Sequence, residues 1–272
     1  MKILIAYDGS EPSEDALADL QRAGLPADAR ALVLCVSESS EKKQDELQHR
    51  ADAASQRLKH SFPGWTIRAE LHHGSARHVI VETARHSQAD LIVMGSRGHS
   101  VMNVLGLGSV SQYVLHHSEH SIRIGRRSPN PAGEAPRLMI AVGGAQPSKA
   151  AVKAVALRHW PSGTEARVVG AIDPMLTQAG GTPELEDKHV RDVVGNAVSE
   201  AASELRQAGL TVTTEMRDSH PFELILSQAE ESKADCIFVG SRNLGAVSRV
   251  LIGSTSSMVS GSANCSVEIV HR

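Results

Sequence analysis

The stretch KILIAYDGSEPSEDAL, residues 2–17, recurs in the second half of the chain as RLMIAVGGAQPSKAAV, residues 137–152. Farther along, ADLIVMGSRG at 89–98 returns as ADCIFVGSRN at 234–243. A third block, VLGLGSVS, has its counterpart in VLIGSTSS around Gly253. Three matched blocks in one order indicate an internal duplication, which has to be recognised before any fold is assigned.

The two copies have different lengths and a recognisable linker. The first block is displaced by 135 residues and the later ones by 145, which one ten-residue insertion within LTQAGGTPEL (176–185) explains. Between the copies, RRSPNPAGEAP (126–136) has the proline and small residues typical of a linker. A chain of 272 residues suits two domains of ordinary size. We expect one domain over 1–127 and another over 137–272.

Each copy alternates short apolar segments with more polar helical ones. In the first copy we predict a helix that Ser13 caps and that ends before Gly24. The alternation predicts an α/β fold in which each domain is an open, five-stranded parallel sheet with helices on both faces. The predicted strands are 3–7, 31–36, 66–71, 91–94 and an edge strand at 121–125, and the other predicted helices are 41–60, 76–87 and 109–117.

Composition argues against several function classes. A net charge of −3 gives no general attraction for nucleic acids or acidic membranes, and 3% aromatic residues are too few for a single-strand stacking platform. Met1 leads directly into a short apolar run, unlike a signal peptide, and no apolar stretch is long enough to cross a membrane. Cys35, Cys236 and Cys265 have no metal-ligand spacing, so we expect reduced core cysteines in a cytoplasmic protein.

Open α/β sheets bind ligands beyond the carboxyl ends of their strands, so the loops after the first and fourth strands are the candidates. Neither loop carries a G-x-G-x-x-G or Walker A motif. The fourth strand is followed by Gly95, Gly98 and Gly108-Ser109, and Ser109 begins a predicted helix. These glycines could direct backbone N–H groups at a phosphate, or could simply permit tight turns and close packing. Asp8, after the first strand, could likewise serve a ligand or cap a helix.

The spacing Gly-x2-Gly-x9-Gly-Ser, preceded by DLIVMGSRG and with an aspartate ending the first strand, resembles the nucleotide-binding universal stress proteins. The resemblance covers both copies and implies tandem Rossmann-like domains of the adenine nucleotide alpha hydrolase type that bind ATP, with or without magnesium. It also implies a role in stress and pairing of two such domains through their last strands. A tandem chain would supply both domains of such a pair by itself. Whether two chains also form a homodimer is left open. The residues that the resemblance assigns to adenine, ribose and phosphates are Asp8, Val36, Met94, Gly95, Gly98, Gly108, Ser109 and Val110.

The second copy departs from this pattern. Gly143 stands where Asp8 does, and Asn243 stands where Gly98 does. The second copy retains Gly240, Gly253 and Ser254, so we expect a weaker nucleotide site there.

Two further features leave alternatives open. His116, His117 and His120 could bring two imidazoles onto one helical face, since 116 and 120 are four residues apart, but a zinc site needs further ligands that the sequence does not identify, so no metal is expected. Arg97 and Arg242 recur at equal positions in the two copies and could meet phosphate or pair with an acidic neighbour across the interface of the two copies. For function, we expect an ATP-binding regulatory protein with little turnover. The alternatives are a slow ATPase and a nucleotide-free interaction scaffold.

Overall fold

The computed structural model of the chain describes residues 1–38, 44–98, 106–143, 146–174, 183–241 and 253–271. These residues divide into two compact units, one ending at Arg127 and the other beginning at Ser128. The insertion that the sequence predicts at 176–185 lies mostly outside the described residues.

The first unit alternates strands and helices throughout. Its parallel strands lie in the order β3-β2-β1-β4-β5, as the sequence predicts for an open sheet. A short 3-10 turn at Leu20–Arg22 follows the first helix. The elements are β1 (Lys2–Ala6), α1 (Glu11–Asp19), β2 (Arg30–Ser37), α2 (Gln44–Ser61), β3 (Thr66–His73), α3 (Ala76–Ser87), β4 (Leu91–Gly95), α4 (Ser109–His117) and β5 (Ser121–Gly125).

Burial on both faces explains why the central strands are almost wholly apolar. Ile3 and Ile5 of β1 pack with Ala54 and Leu58 of α2 in one hydrophobic cluster. Leu4, which lies between them in β1, points to the opposite face and is also buried. The sheet therefore has helices on both sides, and its carboxyl edge is left for loops.

The start of α1 differs from the sequence prediction. The N-cap is Ser10, whose side chain accepts from the N–H of Ser13, and the helix begins at Glu11. Ser13 lies inside the helix, where its hydroxyl donates to the carbonyl of Ser10 at 2.8 Å. Pro12 near the helix start explains the earlier beginning, because proline is well tolerated in the first turn.

The second unit repeats the architecture. Its parallel strands lie in the order β10-β9-β6-β7-β8, which is the same arrangement as in the first unit. The elements are β6 (Arg137–Val142), α5 (Gln146–Ala156), β7 (Glu165–Ile172), α6 (Pro183–Gln207), β8 (Thr211–Asp218), α7 (Pro221–Glu231), β9 (Cys236–Gly240), α8 (Ser254–Ser262) and β10 (Ser266–Val270).

The last strand of each unit carries a buried ion pair. In the first unit, Arg123 of β5 donates through Nε to Asp19 of α1 at 2.6 Å, and both side chains are almost inaccessible to solvent. In the second unit, Glu268 of β10 pairs with Arg158, again with both partners buried. Each pair fastens the last strand to the segment at the end of its first helix.

Three cysteines are buried and none forms a disulfide, as expected. Among the helices that the structure describes, none combines the length and hydropathy that crossing a bilayer would require.

Candidate functional site

A cavity of about 700 Å³ opens at the carboxyl edge of the first unit's sheet. It lies where β1 meets β2 on one side and β4 on the other, the point at which strand order reverses. All eight residues that the sequence nominated line this one cavity: Asp8, Val36, Met94, Gly95, Gly98, Gly108, Ser109 and Val110.

Asp8 is held in a fixed orientation by the turn that follows it. Its Oδ1 accepts the backbone N–H of Ser10 at 3.0 Å and the Ser10 hydroxyl at 2.5 Å. Ser10 in turn caps α1. Asp8 therefore supports the helix start through Ser10, which is the cap itself, and it also lines the cavity.

The glycines of the fourth loop serve different purposes. A Cβ at Gly95 would lie 2.6 Å from the carbonyl oxygen of Pro12, so this position lets the first turn of α1 approach β4 closely. Gly240 has the same function in the second unit, where a Cβ would lie 2.0 Å from the carbonyl oxygen of Pro147. At Gly98, by contrast, a Cβ would lie 2.6 Å from Oδ2 of Asp8 inside the cavity. Gly95 is thus explained by packing, and Gly98 by the carboxylate beside it.

The N-terminus of α4 faces the same cavity. Gly108 is the N-cap and provides no side-chain hydrogen bond to the helix, while its own N–H donates to the carbonyl of Ser96 at 2.8 Å. The first N–H groups of α4 thus lack a side-chain cap, and the helix dipole adds partial positive charge there. Ser111, one turn on, is anchored by donation to the carbonyl of Gly95 at 2.9 Å. This arrangement suits a phosphate.

Sequence reasoning missed three charged residues of the cavity wall. Glu46 and Arg50 of α2 form an ion pair of 2.7 Å, and the Arg50 guanidinium lies against Gly9, where a Cβ would come within 2.8 Å of Nη1. Glu38, just after β2, accepts the N–H of Ala76 at 2.8 Å. The pattern of Glu46 and Arg50 is typical of a solvent-exposed helix face, so nothing in the sequence predicts that these residues line a cavity.

Beneath the cavity, a polar network ties α1 to α2. Tyr7 donates to Glu14 at 2.5 Å, and Arg57 donates to the same carboxylate at 2.9 Å. Burial, followed by the bond with Glu14, raises the pKa of Tyr7 to about 12. Burial alone would raise the pKa of Glu14, but hydrogen bonds from Arg57 and Tyr7 outweigh it and lower that pKa. Tyr7 also lines the cavity, so this hydrogen-bond network orients one of the side chains that line it.

Cys35 lies in the same core as Tyr7 and is fully buried. Burial, and then the negative charge of Asp8, raise the pKa of its thiol to about 12. The thiol is therefore protonated at neutral pH and acts as a core residue.

The second unit has a smaller cavity at the equivalent place, about 240 Å³. It is lined by Gly240, Gly253 and Ser254, the three residues that the sequence nominated there, and by Gly143. Within the part of the chain that the structure describes, its lining contains hydroxyl and apolar groups but no charged side chain. The position of Asn243 and that of Arg242 lie outside the described residues.

The remaining candidates are Arg97 and the histidines near the end of α4. Arg97 lines the cavity of the first unit. His117 stacks on Tyr113 at 3.8 Å, and His120 lies 3.2 Å from the Ser118 hydroxyl, so these histidines have separate neighbours. In the described ranges, no three His, Cys, Asp or Glu side chains are grouped so as to hold a metal ion.

Both copies in the chain are similar to one family of known proteins. The family described as "Universal stress protein family" matches residues 1–124 and again 135–271. A universal stress protein of Mycolicibacterium smegmatis is 25% identical over 221 residues, which cover 76% of this chain and 69% of that protein. An uncharacterized protein of Schizosaccharomyces pombe is 37% identical over 57 residues, or 21% of this chain and only 10% of that protein's length.

A solved structure extends the likeness to the whole chain. The crystal structure of a universal stress protein from Archaeoglobus fulgidus aligns with a TM-score of 0.69 at 23% identity. The alignment covers 100% of this chain and 98% of the other. The two proteins therefore share the tandem fold.

Proposed function

The chain belongs to the universal stress protein family, and from that premise we propose that it is an ATP-binding regulatory protein of the stress response. In this proposal it acts in the cytoplasm and binds one adenine nucleotide strongly in its first copy, with little or no turnover. The pairing of the two copies that the resemblance implies stays a prediction.

One observation carries the proposal. The eight residues chosen from sequence converge on a single cavity that combines a carboxylate, Asp8, with the N-terminus of α4. At about 700 Å³ the cavity has the size usual for small-molecule sites. A helix start without a side-chain cap favours phosphates, and the carboxylate offers an acceptor for hydroxyl or amino groups of a nucleotide.

The second copy supports the asymmetry. Its cavity is about 240 Å³, roughly the lower limit for small-molecule sites, and Gly143 provides no acceptor side chain where Asp8 stands in the first copy. Loss of a hydrogen bond to a charged group costs about 1.5–3 kcal/mol, or one to two decades in affinity. We therefore assign the strong site to the first copy.

Low turnover follows from the groups around the cavity. Phosphoryl transfer usually combines a metal-holding carboxylate, a cationic clamp and a residue that activates the acceptor. The described wall offers Arg50 and Arg97 as cations, but Arg50 is already paired with Glu46. The carboxylates that line the cavity, Asp8, Glu38 and Glu46, are engaged by Ser10, Ala76 and Arg50, and we propose that none of them activates water.

Calorimetric titration with ATP tests the proposal. We expect about one strong site per chain, weakened at least tenfold by Asp8→Ala. Gly143→Ala is the matched control, because a Cβ there meets nothing within 4 Å and should leave binding unchanged. Mass spectrometry of ligand released from freshly purified protein should detect adenine nucleotide. Two equal sites, or no binding with no released nucleotide, would contradict the proposal, and the second outcome would favour an interaction scaffold.

A further inference from the structure

Two helices point their N-termini at the cavity of the first copy, and they differ in one respect. At α4, the N-cap Gly108 has no side chain with which to cap the helix. At α3, the N-cap Ser75 makes no side-chain bond to the helix, and the N–H of Ala76 is satisfied instead by Glu38 Oε1 at 2.8 Å. The positive end of α3 is therefore already neutralised by a carboxylate, whereas no side chain of the described residues caps the start of α4.

Glu38 and the glycine loop before α4 follow different strands of the sheet. Glu38 follows β2, the glycine loop follows β4, and β1 lies between these strands. Two strand spacings separate the carboxyl ends of β2 and β4 by roughly 10 Å. That separation is enough to place the phosphates and the base of one nucleotide at different ends.

The chemistry of the wall fixes which part of a nucleotide goes where. Phosphates are attracted to the start of α4 and repelled by the Glu38 carboxylate at the start of α3. Near Glu38 the wall is apolar, with Leu34, Val36 and Ile80, which suits the faces of a base. A base in that position would present its edge to the carboxylate.

Glu38 differs from the other carboxylates of the wall in its partners. Asp8 is engaged by two groups of Ser10, and Glu46 is paired with Arg50. The Glu38 contact that the structure gives is a single neutral N–H at one oxygen. A carboxylate can accept several hydrogen bonds, so Glu38 retains acceptor capacity toward the cavity.

We propose that Glu38 is a specificity-determining residue of this site, accepting a hydrogen bond from the exocyclic amino group of adenine. The inference rests on the proposed function, since it names the part of the nucleotide that this wall recognises. A carboxylate accepts and cannot donate, so it favours an amino group at the base edge over a carbonyl oxygen at the same position.

A cycle that varies both protein and ligand tests this inference. ATP and purine riboside triphosphate, which carries hydrogen in place of the 6-amino group, are titrated into the wild-type protein and Glu38→Ala. We expect the wild type to favour ATP by about 10- to 100-fold, and Glu38→Ala to reduce that preference to about threefold or less. Loss of the α3 cap affects both ligands alike and cancels from the ratio. If Glu38→Ala folds poorly, Glu38→Gln keeps an oxygen for the Ala76 N–H and should give an intermediate ratio.

Glu46→Gln is the matched control, since it removes another carboxylate of the same wall and should leave the ratio at its wild-type value. An equal ratio in wild type and Glu38→Ala, with tight ATP binding in both, would overturn this inference alone. Binding of GTP as tight as that of ATP would do the same. Failure of the wild type to bind either triphosphate would overturn the proposed function together with it.

Discussion

Gly98→Ala adds one carbon to the cavity wall, and that carbon would lie 2.6 Å from Oδ2 of Asp8. The backbone at Gly98 does not have the positive φ that would bar alanine, so the strain falls on the carboxylate. Asp8 is short and held by two bonds from Ser10, so it can yield only by turning away and breaking them. If Asp8 contacts ATP, the methyl group should cost about 1.5–3 kcal/mol of binding, or roughly 10- to 150-fold in Kd.

The assay is a double-mutant cycle by calorimetry with wild type, Asp8→Ala, Gly98→Ala and the double variant. Since both changes disable one carboxylate, the double variant should bind within about threefold of Asp8→Ala. Gly253→Ala is the control, because a Cβ there meets nothing within 4 Å, and thermal melts check that each variant folds. Wild-type affinity in Gly98→Ala, or losses that simply add in the double variant, would refute the reasoning.

Four further predictions concern turnover, the second copy and stability. With ATP and magnesium, phosphate release should be slower than about 1 per second, the low end of the usual enzyme range, and a faster rate abolished by Asp8→Ala would contradict this. Gly143→Asp alone should leave calorimetry at one strong site, because Asn243 persists. Arg57→Met removes a hydrogen bond that lowers the pKa of Glu14 in the folded state. A lowered carboxyl pKa stabilises the fold at pH values above the ordinary pKa, and this stabilisation is lost as the pH falls through the lowered pKa. The melting temperature of the variant should therefore drop less than that of wild type between pH 7 and 3. Asp19→Ala removes the carboxylate that the buried Arg123 pairs with, and urea unfolding should report a loss of about 3–5 kcal/mol.

Periodicity and turn residues predicted most of the fold because they act locally. The bounds of α3, α4 and β5 match the structure, and both helices follow residues favoured at an N-cap, Ser75 and Gly108. The start of α1 was wrong by several residues. Two serines, Ser10 and Ser13, can both cap a helix, and the choice depends on the hydrogen bonds from Ser10 to Asp8, which a linear pattern does not reveal.

The candidate site divides in the same way. The positions of its glycines and of Asp8 after the strands made them candidates, and the resemblance to a known family, not the spacing alone, assigned them to a nucleotide. Glu46 and Arg50 could not be predicted, because a charged pair four residues apart on a polar helix is the ordinary pattern of a surface. Only the packing of α2 over the loop at Gly9 turns that surface into a wall of the cavity.

The second copy differs from the first at two site positions, Gly143 for Asp8 and Asn243 for Gly98, and one cause explains both differences. In the first copy, a Cβ at position 98 would lie 2.6 Å from Oδ2 of Asp8, so the carboxylate leaves no room for a side chain there. Where the second copy has Gly143 instead of the aspartate, that steric bar no longer exists, and the partner position carries Asn243. The asparagine therefore adds little independent evidence once the aspartate is absent. The lining of the second cavity, which is uncharged among the residues that the structure describes, and its smaller volume are separate observations, and they favour one strong site per chain on their own.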